Sequence, residues 1–157
     1  MVTYYLDTSA AVKLYLVEIG SDWLRQLLVT DPMPGIFSSY LLRVELWSAF
    51  ARRRREDNVT VQEYSQLQSW FAEHQQSLYR LVPLNETIIQ QACQLIERHP
   101  LRSYDAVHLA TALILNQRLA ESGVNLVFLS ADNRLTQAGL AEGLAVDNPN
   151  NYPDSSG

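Results

Sequence analysis

Residues 2–10 read Val-Thr-Tyr-Tyr-Leu-Asp-Thr-Ser-Ala, and this stretch indicates the fold class. The β-branched and aromatic run Val2–Leu6 predicts a strand that stops at Asp7. Thr8-Ser9 is a helix-start signal, and a helix is expected from Ala10 to Leu16. The chain therefore begins with a strand, a turn and a helix, the unit from which α/β domains are built.

The last third of the chain repeats this unit around its most apolar strand. Val124–Leu129 is a nearly continuous apolar run that is too short for a helix, which predicts a buried strand. Asp132 follows it and can cap a helix from Asn133 to about Glu142. Between the two units and after the second, the sequence predicts helices over residues 21–28, 39–55, 59–78, 85–99 and 103–120, a break at 31–35, a short apolar run at 36–37 and strands at 79–84 and 144–146. This alternation predicts an α/β sandwich with a mostly parallel sheet, in which ligands bind beyond the carboxyl ends of the strands.

The composition is that of one globular domain. The chain has 157 residues, 47% of them hydrophobic and 18% charged, so it can bury a core without disulfides. Cys93 is the only cysteine, which excludes an intrachain disulfide and a cysteine-rich zinc site. No apolar run is long enough to span a membrane and no signal peptide fits before Asp7, so a cytoplasmic location is expected. We expect residues 1–147 to form the domain and 148–157 to form a flexible tail.

The charge balance bears on the class of ligand. Acids outnumber bases by 17 to 12, which gives a formal charge of −5. This argues against a general polyanion binder, because nonspecific affinity for nucleic acids comes from a cationic surface. It does not exclude a nucleic-acid enzyme whose acids gather in one place to hold cations. Four acids set apart in this way would leave 13 acids against 12 bases, an almost neutral remainder.

Three acids stand at the ends of predicted elements. Asp7 and Asp132 each follow an apolar strand, at the edge where functional side chains gather in parallel sheets. A turn or a helix cap would also explain either residue. Asp105 lies in the first turn of an apolar helix that we expect Ser103 to cap, where the helix dipole favours an acid.

The fourth acid, Glu45, lies within a predicted helix. Its neighbours three and four residues away are apolar or small: Leu41, Leu42, Ser48 and Ala49. A carboxylate on such a face must be paired, protonated or bound to a cation, because burying it alone is costly. A buried ion pair with one of the arginines is the structural alternative to a functional role.

Together the four acids predict a divalent-metal site. Two carboxylates about 4 Å apart repel each other by roughly 4 kcal/mol at an effective dielectric constant near 20. Protonation or a cation must therefore relieve a cluster of them. Oxygen ligands without cysteine or a pair of histidines suit Mg²⁺ or Mn²⁺ rather than zinc. Such ions activate water for displacement at phosphorus, so metal-dependent hydrolysis of a phosphodiester is the predicted chemistry.

Four segments of the chain, in this order, resemble a PIN domain: residues 5–10 (YLDTSA), 43–46 (RVEL), 104–112 (YDAVHLATA) and 129–135 (LSADNRL). The likeness extends from Val2 to about Pro149, and the short form resembles VapC-type toxin ribonucleases of type II toxin–antitoxin pairs. This resemblance implies a three-layer α/β/α sandwich with a mostly parallel five-stranded sheet. It also implies Mg²⁺ or Mn²⁺ as cofactor, RNA as substrate, a small antitoxin protein as partner, and a homodimer.

The same resemblance implies roles for individual residues in endonucleolytic cleavage by a metal-activated water. The metal ligands would be Asp7, Glu45, Asp105 and Asp132, the last either directly or through water. Ser130 would orient a water or a carboxylate. Asn133 departs from the pattern, since toxins of this type often have an arginine there, but Arg134 follows it.

Three further features have both a structural and a functional explanation. His108, one turn after Asp105, has the chemistry of a ligand, but a lone histidine on an apolar helix is usually a hydrogen-bonded core residue, and we expect that here. Arg52–Arg55 have the charge to contact RNA or a partner, although cationic helix ends are usually solvated. An apolar patch expected around Trp47 and Phe50 favours association.

Other enzyme classes fit less well. A haloacid-dehalogenase-type phosphatase needs a second acid two residues after the strand-end aspartate, where this chain has Ser9. A restriction-type nuclease needs an acid two residues before a lysine, but Ala11 precedes the only lysine, Lys13, at that spacing. No glycine-rich segment ends in Lys-Ser or Lys-Thr, which excludes a P-loop. The remaining alternative is a non-catalytic RNA-binding or scaffold module with the same fold, against which four intact acids count.

Overall fold

The computed structural model describes residues 1–29, 35–56 and 58–153. Within them, five strands alternate with seven helices: β1 (Val2–Leu6), α1 (Thr8–Ala11), α2 (Ser21–Val29), β2 (Ile36–Ser39), α3 (Leu41–Arg55), α4 (Val61–Ser77), β3 (Tyr79–Val82), α5 (Glu86–Arg98), α6 (Ser103–Ala120), β4 (Asn125–Leu129), α7 (Asn133–Ala141) and β5 (Ala145–Asp147). The predicted helices and strands occur with most ends shifted by no more than a few residues, but the helix expected from Ala10 to Leu16 is divided into α1 and a 3₁₀ turn at Val12–Leu14. Of the predicted break at 31–35, only Gly35 is among the described residues.

The five strands form one sheet in the order β3-β2-β1-β4-β5, and every pairing is parallel. Leu6 at the end of β1 is in register with Leu129 at the end of β4, which in turn is in register with Asp147. The chain winds outward from the central strand β1 in both directions. The carboxyl ends of β1 and β4 therefore form a topological switch point, where α/β sheets bind their ligands.

Helices cover both faces of the sheet, which confirms the three-layer α/β/α architecture. Tyr5 and Phe128 face one core, which is shared with α5, α6 and α7. Leu6 and Leu129, the next residue of each strand, face the other core, which is shared with α1, α2, α3 and α4. Burial on both faces explains why these strands are continuous apolar runs rather than alternating ones.

Helix α6 is the central element of one layer, and most of its first half is buried. The expectation that Ser103 caps it is wrong. Arg102 occupies the cap position without a side-chain hydrogen bond, and Ser103 is the first helical residue. Asp105 then lies in the first turn, where the helix dipole stabilises a negative charge. No helix in the described ranges is both long and apolar enough to cross a membrane.

Residues 148–152, which belong to the expected flexible tail, contact the rest of the domain. Asn148 donates a side-chain hydrogen bond of 2.9 Å to Asn133, and a 3₁₀ turn follows at Pro149–Asn151. Tyr152 stacks on Trp23 of α2 with ring centroids 4.0 Å apart. These contacts fix the segment beside α2. Residues 154–157 lie outside the described part of the chain.

Candidate active site

All four acids singled out in the sequence line one groove of about 700 Å³ at the carboxyl edge of the sheet. Asp7 comes from the end of β1, Glu45 from α3, Asp105 from the first turn of α6, and Asp132 from the cap of α7. Asp7 is buried and the other three are partly exposed. The fold therefore brings residues that are far apart in sequence to the switch point of the sheet.

Asp7 is the buried centre of this groove. Its Oδ1 accepts hydrogen bonds from the Ala10 backbone N–H (2.9 Å) and the Ser9 hydroxyl (2.7 Å), so it caps α1. Its Oδ2 accepts a 2.7 Å hydrogen bond from Ser130. Burial raises the pKa of the Asp7 carboxyl, whereas nearby His108 and the hydrogen bonds lower it. The cap bonds are made to Oδ1, whereas Oδ2 is bonded, within the described residues, only to Ser130. Capping α1 is therefore compatible with a functional role for Asp7.

Two serine hydroxyls hold this carboxylate. Ser130 is fully buried, and its Oγ also accepts a 3.1 Å hydrogen bond from the backbone N–H of Asp132. Ser9 accepts a 2.9 Å hydrogen bond from the backbone N–H of Ala131. The serines therefore join the end of β1 to the turn after β4. The sequence indicated Ser130 but not Ser9, which was interpreted only as part of a helix start.

Glu45 is bonded to His108 rather than to an arginine. The side chain of Glu45 is 20% exposed, and its Oε1 lies 2.8 Å from Nε2 of His108. His108 is 1% exposed, and its other ring nitrogen, Nδ1, lies 2.8 Å from the hydroxyl of Tyr5. The expectation that His108 is a hydrogen-bonded core residue is confirmed. The alternative of an arginine partner for Glu45 is wrong, because the groove brings His108 of α6, rather than an arginine, within hydrogen-bond distance of its carboxylate.

Asp105 and Asp132 line the same groove and interact electrostatically. Burial raises the pKa of the Asp105 carboxyl first, and the negative charge of Asp132 raises it further, while His108 and Arg102 lower it. Asp132 caps α7 through a 2.9 Å hydrogen bond from the backbone N–H of Arg134 to Oδ1, as predicted. The two acids are therefore close enough to repel each other, and a cation between them would relieve this repulsion.

Comparison with known proteins identifies the family. A family model described as "PIN domain" matches residues 4–139. The chain belongs to the PIN domain family. Two curated relatives from Mycobacterium tuberculosis, Ribonuclease VapC45 of strain CDC 1551 / Oshkosh and Ribonuclease VapC49 of strain ATCC 25618 / H37Rv, are each 35% identical over 143 residues, which cover 90% of this chain and 92% of the relative. The resemblance to VapC-like PIN domains is thus confirmed.

A solved structure, described as "Toxin-antitoxin complex from Klebsiella pneumoniae", has the same fold as this PIN domain. The TM-score is 0.57, and the match covers 94% of this chain and 98% of that chain at 18% sequence identity. At this level of identity, the likeness supports the α/β/α architecture alone.

The donor chemistry of the groove suits a hard divalent cation. All four acids offer carboxylate oxygens, and both ring nitrogens of His108 are already hydrogen-bonded. Among the residues that the structure describes, no three His, Cys, Asp or Glu side chains stand close enough together to hold one ion. The residues therefore fit Mg²⁺ or Mn²⁺ by type, and ligation by three of them requires the partly exposed side chains to move together.

Cationic side chains flank the acids of this PIN domain. Arg52 and Arg53 line the groove from the end of α3, and Arg102 lines it beside α6. Arg53 is held by a 3.0 Å salt bridge to Glu18, whereas the exposed side chain of Arg52 makes no hydrogen bond within the described ranges. A groove with acids in the middle and arginines at its rim can hold both a cation and a phosphate chain.

The arginine run divides between two surfaces. Arg54 stacks over the ring of Tyr64 on α4, with its guanidinium carbon 5.1 Å from the ring centroid. Arg55 lines a second groove between α3 and α4, together with Trp47. Trp47 is 44% exposed, but Phe50 is fully buried, so the expectation of an exposed patch is correct for Trp47 and wrong for Phe50. Phe50 packs inward because it continues the buried stripe of α3, four residues after Leu46 and eight after Leu42.

Proposed function

We propose that this PIN domain is a Mg²⁺- or Mn²⁺-dependent endoribonuclease that acts as the toxin of a toxin–antitoxin pair. One observation carries the proposal: four carboxylates from four separate elements line one groove at the switch point of the sheet. The relatives' names, both Ribonuclease VapC, support RNA as the substrate. A toxin that cleaves cellular RNA would act in the cytoplasm.

The residues that would hold the ion are Asp7, Glu45, Asp105 and Asp132. When bound, the ion supplies a Lewis acid that makes water a nucleophile for attack on a phosphodiester. The Ser130 hydroxyl keeps the Asp7 carboxylate in one orientation through its 2.7 Å hydrogen bond. The arginines that line the groove would neutralise the negative charge of the RNA backbone on either side of the cleaved bond.

Association with an antitoxin and with a second copy of the chain forms part of this proposal. The groove between α3 and α4 exposes apolar rings beside guanidinium groups, namely Tyr40 and Trp47 next to Arg43 and Arg55. Exposed aromatic and arginine side chains are the residue types that dominate protein interfaces. The solved structure from Klebsiella pneumoniae that shares this fold is described as a toxin–antitoxin complex.

Cleavage assays test the enzymatic part of the proposal. The purified chain should cleave single-stranded RNA at internal positions with Mg²⁺ or Mn²⁺ and should be inactive with chelator. Asp7→Asn should reduce the rate at least about 100-fold, because it removes a proposed ligand charge while keeping the side-chain shape. Asp22→Asn is the matched control, since Asp22 is an exposed acid on α2 outside the groove.

Several outcomes would contradict the proposal. Cleavage that survives both chelation and Asp7→Asn would contradict the metal-based mechanism. RNA binding without cleavage under any metal condition would favour the non-catalytic module instead. Failure of the chain to inhibit growth when expressed would contradict the role as a toxin, even if cleavage in vitro were observed.

A further inference from the structure

A hydrogen-bonded chain crosses the molecule from the sheet to the groove. It runs from the Tyr5 hydroxyl on β1 to His108 Nδ1 on α6 (2.8 Å), and from His108 Nε2 to Glu45 Oε1 on α3 (2.8 Å). Tyr5 is 0% exposed and His108 is 1% exposed. The Thr8 hydroxyl lies 3.3 Å from the same Nε2 atom. Three elements of the fold therefore converge on one imidazole ring.

The chemistry of the partners fixes the direction of these hydrogen bonds. An ionised carboxylate can only accept, so Nε2 of His108 must donate to Glu45. In a neutral imidazole the other nitrogen is then an acceptor, so the Tyr5 hydroxyl donates to Nδ1. By donating to Nδ1, the Tyr5 hydroxyl thereby supports the tautomer that Glu45 requires, with the proton on Nε2. The hydrogen-bond donor to Nδ1 of His108 is therefore a buried side chain, the Tyr5 hydroxyl.

Glu45 depends on this donor more than Asp7 depends on any one of its partners. Asp7 accepts three hydrogen bonds, from Ser9, Ala10 and Ser130. Glu45 has a longer side chain than Asp7 and lies on a partly exposed helix face. Among the described residues, its carboxylate accepts a hydrogen bond from His108 alone. Its Oε2 has no hydrogen bond in this part of the chain. Removing the His108 donor would free the carboxylate to adopt other rotamers.

We infer that His108 is a positioning residue, which Tyr5 holds in the Nε2–H tautomer and which keeps the Glu45 carboxylate in the groove ready for a divalent ion. The inference rests on the proposed function, because it assigns Glu45 a ligand's task. Outer groups that orient a metal ligand typically change metal affinity 10- to 100-fold when they are removed. His108 acts through Glu45 and does not contact the ion.

Mn²⁺ binding to the full chain, measured by electron paramagnetic resonance without RNA, tests this inference. His108→Leu should weaken Mn²⁺ binding by about 10- to 100-fold. His108→Gln, whose amide can again donate to Glu45, should recover most of this loss. Tyr5→Phe, which keeps the ring but removes the hydroxyl that supports the tautomer, should weaken binding by less than His108→Leu. Nitrogen-15 spectra of the imidazole should show the proton on Nε2 in the wild type.

The chain provides a matched control in its other core. The Tyr15 hydroxyl lies 2.8 Å from Nδ1 of His74, the same contact as that between Tyr5 and His108, but neither residue lines the acidic groove. Tyr15→Phe should therefore leave Mn²⁺ affinity unchanged, even if it lowers the thermal midpoint as much as Tyr5→Phe does. A purely structural role for Tyr5 predicts instead that affinity follows stability in both variants.

The outcomes separate this inference from the proposed function. If the wild type binds Mn²⁺ and both His108→Leu and Tyr5→Phe bind it equally well, the positioning role is overturned while the metal site stands. Equal loss of affinity in His108→Gln and His108→Leu, despite a folded Gln variant, also overturns it. If the wild type binds no Mn²⁺ at all, the proposed function itself fails.

Discussion

Ser130 is the point at which the groove can be perturbed with the clearest energetic consequence. Ser130→Ala removes a hydrogen bond donated by the hydroxyl to the buried Asp7 carboxylate (2.7 Å) and one accepted from the Asp132 backbone N–H (3.1 Å), together with a longer 3.3 Å contact with the Ser9 hydroxyl. A hydrogen bond to a charged group contributes about 1.5–3 kcal/mol, and a neutral one about 0.5–1.5 kcal/mol. Because the N–H of Asp132 is only partly buried, we expect a loss of about 3 kcal/mol in the free energy of unfolding.

For a domain of this size, that loss corresponds to a decrease of roughly 6–12 °C in the thermal midpoint. The assay is thermal unfolding followed by circular dichroism in chelator at pH 7. Ser77→Ala is the control, because Ser77 also donates to a nearby oxygen, the Glu73 carbonyl at 2.9 Å, but on an exposed face. Its effect should stay within about 0.5 kcal/mol.

The dependence on Asp7 provides a second check of the Ser130 prediction. If Ser130 stabilises the ionised carboxylate, combining Ser130→Ala with Asp7→Asn should cost less than the two single changes added together. A Ser130→Ala midpoint no lower than that of Ser77→Ala would refute the reasoning. If the two changes in unfolding free energy simply add in the double variant, Ser130 does not stabilise the protein through the Asp7 carboxylate.

Three further predictions concern metal, pH and backbone. Mn²⁺ at about 100 times its Kd should stabilise the wild type by about 2.7 kcal/mol in thermal scans; equal stabilisation of Asp7→Asn would contradict the site. Folding raises the pKa of Asp7 and Asp105, so their contribution to stability is present at low pH and lost as pH rises through the raised values. When the pH is lowered from 7 to 5 in chelator, the thermal midpoint should therefore rise more for the wild type than for Asp105→Asn. Equal rises would contradict the raised pKa of Asp105. Gly20→Ala should cost about 2–3 kcal/mol in urea unfolding, because φ is +85° and a Cβ would overlap the Pro149 carbonyl oxygen. Gly123→Ala has a similar φ of +73° but free space, so an equal cost for both would contradict a role for the overlap.

Local signals in the sequence predicted much of the fold and the positions of the acids. The runs Val2–Leu6 and Val124–Leu129 coincide with β1 and β4 to within one residue, because strands buried on both faces must be apolar throughout. Asp7 and Asp132 are helix caps as well as groove residues. Each lies between the carboxyl end of a strand and the start of a helix, which is both a capping position and the edge where the groove forms.

Partners distant in sequence could not be predicted. Glu45 and His108 are 63 residues apart, and only the meeting of α3 and α6 at the carboxyl edge of the sheet makes one the partner of the other. The stacking of Trp23 on Tyr152, which fixes the segment after β5, likewise depends on tertiary contacts with no local pattern. In each case the residue type was informative, but the partner depended on how the layers pack.

Whether the four acids form a metal site is tested most directly by anomalous diffraction from crystals grown with Mn²⁺. We expect a manganese peak in the groove, bonded to carboxylate oxygens that include those of Asp7 and Glu45, and no peak in crystals of Asp7→Asn grown in the same way. A groove without a manganese peak at saturating Mn²⁺, or peaks confined to other surfaces, would contradict the proposed metal-dependent ribonuclease.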